Sequence, residues 1–201
     1  MKKPFKRVIP ENISIDQLTP LDITCGATKC SEGFHCFSLK KSSLRKYGET
    51  HVCHECGINL IDWNRIHKLD INEAPYIFNS LKTELIRHVV WHTEIDPEAL
   101  SKALERGRIR TKDRVKHLLQ AKLGKIKEGF DGRQTPKGGK ELINYAQHAT
   151  ATCCRKCLEV WHNIPTEATL TEKNYDYLTE LIMLFINEKL PKLTEDGIKK
   201  E

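Results

Sequence analysis

No run of apolar residues in this chain is long enough to cross a bilayer; the most apolar segment, Leu178 to Ile186, is short and amphipathic. Nor does an apolar stretch follow the basic start Met1-Lys2-Lys3-Pro4-Phe5-Lys6-Arg7, as a secretory signal requires. Both gaps argue against a membrane or secreted protein and predict a cytoplasmic one. Recognised hydrolase signatures are also missing, both H-E-x-x-H and the paired carboxylates of nucleotidyl transfer. No strand pattern precedes Cys154-Arg155-Lys156-Cys157, so a redox C-x-x-C lacks the context it needs. The sequence therefore does not state a reaction.

What is present is cysteine. Eight cysteines fall in two clusters in a chain of 201 residues. In a reducing compartment they are expected as thiolates on metal rather than as disulfides. The denser cluster lies between Ala146 and His162, where His148, Cys153, Cys154, Cys157 and His162 offer five ligands for a four-coordinate ion. The favoured set is Cys154, Cys157, His162 and His148. An alternative leaves His148 or Cys153 unligated, His148 then serving as a general base or water taking an open position. The other cluster holds Cys25, Cys30, Cys36 and Cys53-His54-Glu55-Cys56-Gly57. Cys25 and Cys30 most simply complete a four-sulfur site with Cys53 and Cys56. Cys36 competes, and His35, His51 and His54 are weaker candidates. A segment so poor in large apolar groups needs metal binding to fold. Two Zn2+ ions are expected.

Between the clusters the pattern is helical. Phe78, Leu81, Leu85 and Val89 recur at helical spacing, predicting a helix from about Glu73 to His92 with Glu84, His88 and His92 on one face. Those three could hold metal or move protons; the plainer reading is a polar seam. Asp96-Pro97 starts a further helix that stops at Gly107. Thr111 is expected to cap the next, which ends before Gly124. Residues Ser101 to Lys127 carry a net +8 on a chain of net +6, leaving −2 elsewhere. This basic element, with Arg106, Arg108, Arg110, Lys112, Arg114 and Lys116, suits phosphate contact without sequence reading. Equally, it is an ordinary solvated face. A long loop with Asp131, Arg133, Gln134 and Thr135 leads towards His148, and Thr171 starts a last amphipathic helix.

The expected architecture is mainly α. A small zinc-knuckle or zinc-ribbon-like module with short strands, residues 21–70, would follow an extension at 1–20 and pack on a helical domain at 71–201 carrying the second Cys/His site. Its expected function is zinc-stabilised contact with DNA or RNA through the basic helix pair. The alternative is a metal-dependent enzyme acting on a phosphate-bearing or nucleic-acid substrate. Its pocket would be formed by the Asp131–Thr135 loop and His148, with Gln134, Glu84, His88 and His92 as further catalytic candidates. A protein–protein scaffold or self-association is a third reading.

The strings Asp131-Gly132-Arg133-Gln134-Thr135-Pro136, Ala146-Gln147-His148-Ala149-Thr150-Ala151-Thr152-Cys153-Cys154-Arg155-Lys156-Cys157 and Trp161-His162-Asn163-Ile164-Pro165 resemble an uncharacterised bacterial family, domain of unknown function 4186. The resemblance covers roughly residues 110 to 190. The family pattern has glycine at the place of Lys156 and near Asn163. The resemblance implies that Asp131, Gln134, His148, Cys154, Cys157 and His162 belong together, and that the Cys25–Cys56 module and the helix with His88 and His92 are additions. It brings no activity.

Overall fold

The computed structural model describes residues 13–124 and 135–198; Asp131, Arg133 and Gln134 lie outside them. Among the described residues the chain is mainly α-helical: α1 (Lys41–Tyr47), α2 (Trp63–Ile66), α3 (Ala74–Leu81), α4 (Leu85–His92), α5 (Pro97–Leu123), α6 (Leu142–Ala149), α7 (Arg155–His162) and α8 (Glu172–Lys189). α8 lies against α5 and α6, and α4 backs α6. Leu178, Leu181, Ile182, Phe185 and Ile186 of α8 form the centre of the core, each fully buried.

Local chemistry sets several boundaries. Asp96 caps α5 by accepting from the Glu98 amide at 2.8 Å, with Pro97 at the first helical position. Thr171 and Asn174 form a reciprocal cap on α8. At Gly107, φ is +77° and α5 kinks. The break frees the Arg108 and Ile109 amides, which donate instead to Thr194 and Glu195 carbonyls at 2.8 and 3.2 Å. A Cβ at Gly107 would lie 2.2 Å from the Gly197 nitrogen, so only glycine lets the two backbones cross. The helix resumes at once. Thr111 is buried inside it rather than capping it, so the expected four-residue link is a single-residue kink.

The strand-built zinc-knuckle or ribbon-like module at 21–70 does not exist. Among the described residues there is no β-strand, only isolated bridges between Lys29 and Phe34 and between His35 and Glu84. The physical reason is local: backbone amides here close turns, as Gly33 does on Cys30 and Gly57 on Cys53, and leave no row of groups for a ladder. The segment is anchored instead by aromatic packing. Phe37 is fully buried, edge-on to Trp63 and Trp161 with ring centroids 5.7 and 6.1 Å away.

The helix expected over Glu73–His92 is two helices. The chain leaves helical geometry before Glu84, whose backbone is extended (ψ 131°) as the N-cap of α4. There the His35 amide donates to Thr83 and the Leu85 amide to His35, so an early segment stitches itself into the gap.

Candidate metal centres

The first group forms where two turns meet. Cys30 opens a short 3-10 turn that Gly33 closes with left-handed φ, sending Phe34 and His35 back towards α4. Cys53 and Cys56 sit on a second turn closed by Gly57, where a Cβ would strike the Tyr47 ring at 2.6 Å. Cys30 Sγ, His35 Nδ1, Cys53 Sγ and Cys56 Sγ come together, the ligand atoms all within 4.8 Å of one another. Cys30 and Cys53 sulfurs are 3.8 Å apart, and Cys56 Sγ is 3.5 Å from His35 Nδ1. A tetrahedral zinc with ordinary bond lengths needs edges of about 3.8 Å between sulfurs and about 3.6 Å from sulfur to nitrogen. The donor set fits. Burial lowers the His35 pKa, favouring the neutral ring that a metal needs. Burial, with the Cys56 hydrogen bond and the Cys53 charge, pushes Cys30 up to about 12. A cation would relieve that crowding of sulfurs.

Of the expected first-cluster ligands, Cys25 and Cys36 are elsewhere, and His35 takes the fourth corner. His54 reaches the Gly26 carbonyl at 2.9 Å, and His51 packs on Trp63.

The second group is Cys153, Cys154 and Cys157, again with sulfurs within 4.8 Å of one another. Ala151 adopts φ +55°, turning the chain so that Cys153 points inward and Cys154 becomes the extended N-cap of α7. Cys157 lies one turn into that helix, 3.6 Å from Cys153 Sγ and 3.5 Å from Cys154 Sγ. Asn163, left-handed at φ +49°, closes the helix.

Beneath these sulfurs lies Arg87, 2% exposed. Its guanidinium donates to Cys157 Sγ at 3.0 Å, to Cys153 Sγ at 3.8 Å and to the His148 carbonyl at 2.6 Å. Glu84 holds it from the other side, Oε2 lying 3.3 Å from Arg87 Nε. Glu84 also accepts from the Phe37 amide (2.9 Å) and Trp161 Nε1 (3.2 Å). Burial alone would lower the Arg87 pKa; the charges of Cys157, Cys153 and Glu84 hold it well above the usual value. Hydrogen bonding to Cys153, with burial, carries Cys154 up to about 11.

Cys154 and Cys157 stand at one side of a cleft of about 420 Å³, with Cys153 buried behind them. Cys25, Cys36 and Lys40 come from the early segment, and Cys154, Lys156, Cys157 and Trp161 from α7 and its cap. Glu84 and Arg87 complete its floor.

His148 and His162 are fully buried and turned to backbone: Nε2 of each pairs with a carbonyl, Thr135 at 2.9 Å and Thr150 at 3.0 Å. Neither ring nitrogen joins the sulfurs. Burial above all pulls both imidazoles down to about 4. His88 and His92 stack on each other, centroids 4.1 Å apart, beside Phe34 and residues 15–19. Glu84, on the α4 cap, faces Arg87. The structure thus does not gather Glu84, His88 and His92 at one point, nor bring them to His148.

The basic residues are engaged internally. Arg106 pairs with Glu141, Arg108 with Glu195, Lys112 with Glu180, and Lys116 with Glu172 and Asp176. Arg110 donates to the Arg106 and Asp196 carbonyls. Arg110, Lys112 and Arg114 are exposed.

Arg87 was not among the residues singled out in the sequence. The available signal was a charged side chain inside the apolar run Leu85-Ile86-Arg87-His88-Val89-Val90-Trp91.

A family model described as a domain of unknown function (DUF4186) matches residues 75–187. That span contains Glu84, Arg87 and the Cys153–Cys157 group. It also contains α4, so the helix with His88 and His92 is not an addition to the family segment; the Cys30–His35–Cys53–Cys56 group precedes it. No solved structure matches the chain.

Proposed function

The chain belongs to this family, DUF4186, and from that premise we propose that it is a two-zinc protein whose second ion binds an anionic, phosphate-bearing small molecule. In this reading the Cys30–His35–Cys53–Cys56 ion is structural, having four protein ligands. The Cys153–Cys154–Cys157 ion has three, with its fourth position towards the cleft. The observation that carries the reading is a cluster of three sulfurs, two of them bonded by a buried arginine, at the edge of a cavity. Three thiolates and a divalent ion sum to −1, and Arg87 offsets that charge. A zinc ion with an exchangeable position supplies Lewis acidity. The chain's own contribution is placement: Glu84 fixes Arg87, Arg87 fixes Cys157, Lys40 and Lys156 bring positive charge to the cleft, and Leu39, Val160 and Trp161 give it an apolar wall.

The test is a metal count followed by a ligand titration. Mass spectrometry of the native protein should find two zinc ions per chain, and Cys154→Ser should reduce this to one. In the cobalt-substituted protein, inorganic phosphate should move the visible spectrum of one site and leave the other alone. One zinc per chain, or a count unchanged by Cys154→Ser, would sink the proposal.

A second reading is phosphate contact along α5. Its support is the exposure of Arg110, Lys112 and Arg114, since exposed ion pairs such as Lys112–Glu180 are worth about 0–1 kcal/mol and yield to a competing phosphate. Against it stands the internal pairing of most of those cations.

A further inference from the structure

We propose that the Cys153–Cys154–Cys157 group is a peroxide-responsive site, in which Cys154 and Cys157 close into a disulfide and the group gives up its ion. The loss of the ion rests on the reading above and deepens it; the bond between the sulfurs rests on their placement alone. All three cysteines are free. Cys157 Sγ lies 3.5 Å from Cys154 Sγ and 3.6 Å from Cys153 Sγ, and a small side-chain rotation closes either gap to the about 2.05 Å of a disulfide.

The helix start decides which pair closes. Cys154 is the N-cap of α7, with extended backbone, and its carbonyl accepts from the Cys157 and Leu158 amides, both at 3.1 Å. An N-cap side chain folds back over the residue three positions on, and here that residue is Cys157. Cys153 points inward instead, fully buried, with Arg87 donating to its sulfur. The same guanidinium donates to Cys157 Sγ at 3.0 Å. Such a charged donor draws electron density from the sulfur it bonds and blunts its attack on an oxidant. Cys154, half-buried on the cleft wall, is the sulfur that a small oxidant meets first.

Coordination keeps a thiol deprotonated, so Cys154 meets hydrogen peroxide as the thiolate. Its sulfur attacks one peroxide oxygen; the S–O bond forms, the O–O bond breaks and hydroxide leaves. Cys157 sulfur then attacks Cys154 sulfur; the S–S bond forms, the S–O bond breaks and a second hydroxide leaves. Each hydroxide takes a proton from the buffer and becomes water. Two thiolates have lost two electrons and one peroxide has gained them. Cys153 is then the one protein ligand left to the second ion, too few to hold zinc. A matching Cys53–Cys56 bond in the first group would leave Cys30 and His35 in place. The second ion is therefore the one that peroxide releases.

The experiment treats the zinc-loaded full chain with one equivalent of hydrogen peroxide, and reads zinc with a chelating dye and disulfides by peptide mass mapping. Trypsin cuts after Arg155 and Lys156, so a bond to Cys157 joins two peptides, and fragmentation between Cys153 and Cys154 shows which sulfur carries it. The expected result is one of two zinc ions released, Cys154 linked to Cys157, and both changes reversed by dithiothreitol with added zinc. Cys154→His keeps a ligand at that position and should release no zinc at the same dose. A Cys153–Cys157 link, a Cys53–Cys56 link with the second group intact, or sulfinic acid on Cys154 in place of the bond would overturn the inference. So would two ions and eight free thiols after treatment, or equal release from a Cys154→His chain that holds both ions; where that variant holds one, the mapping of the wild type decides. A wild-type chain carrying one zinc, insensitive to Cys154→Ser, would instead sink the two-zinc reading.

Discussion

Replacing Arg87 with methionine removes the one positive charge among Glu84, Cys153 and Cys157 while filling much of the same space. Glu84 keeps its bonds from the Phe37 amide and Trp161 Nε1 but loses its counter-charge at 3.3 Å, and the His148 carbonyl loses a donor at 2.6 Å. With both partners of the ion pair almost wholly buried, breaking it from one side costs about 3–5 kcal/mol. In a chain of 201 residues each kcal/mol moves the melting temperature by roughly 2–4 °C, so Arg87→Met should melt about 6–20 °C lower at fixed zinc concentration. The assay is urea unfolding and thermal melting of wild type, Arg87→Met, Glu84→Gln and the double variant. Because the residues touch, the double variant should lose less than the sum of the singles, by about 0.5–3 kcal/mol. Zinc release from the Cys154 site should also quicken ~10–100-fold, since Arg87 offsets the net charge of that complex. If Arg87→Met unfolds within about 1 kcal/mol of wild type and holds zinc as well, the buried pair does not organise the site.

Other expectations follow from the same packing. His148 and His162 have folded pKa values near 4 against an ordinary 6.5, so between those values the unfolded chain takes up protons that the folded chain refuses. The stability they contribute is complete above pH 6.5 and drains as pH falls to 4, by about 3 kcal/mol each. The rings of His148 and His162 should therefore show little protonation above about pH 5 in an NMR titration; ordinary titration of both near 6.5 would contradict the burial argument. Gly107→Ala should cost about 3 kcal/mol by overpacking against Gly197 and raising backbone strain, read as a lower urea midpoint. For the second reading, Arg114→Ala should lower the salt dependence of any DNA or RNA binding by about one unit of slope, and an unchanged slope removes Arg114 from the contact.

Much of the scaffold was legible because its causes are local. Asp96-Pro97 and Thr171 announce helix starts, Gly107 announces a break, and the crowding of Cys153, Cys154 and Cys157 within five positions announces a group able to hold a metal. Spacing misled where long-range contacts competed with it. Helical periodicity ran unbroken through Glu84, but a backbone insertion at His35 and the pull of Arg87, Phe37 and Trp161 opened the helix there. The strand-built module failed because cysteine spacing encodes turns and carries no information about ladders.

The sequence by itself determined that cysteines and histidines would gather in two clusters, and roughly where its helices begin and end, since capping and side-chain type act over a few residues. Only the tertiary structure decided which of them meet. His35 replaced Cys25 beside Cys30, the two buried histidines turned to carbonyls, and the basic stripe met acids more than thirty residues away. Those choices depend on how segments far apart in the chain share one core, and no short window of residues contains that information.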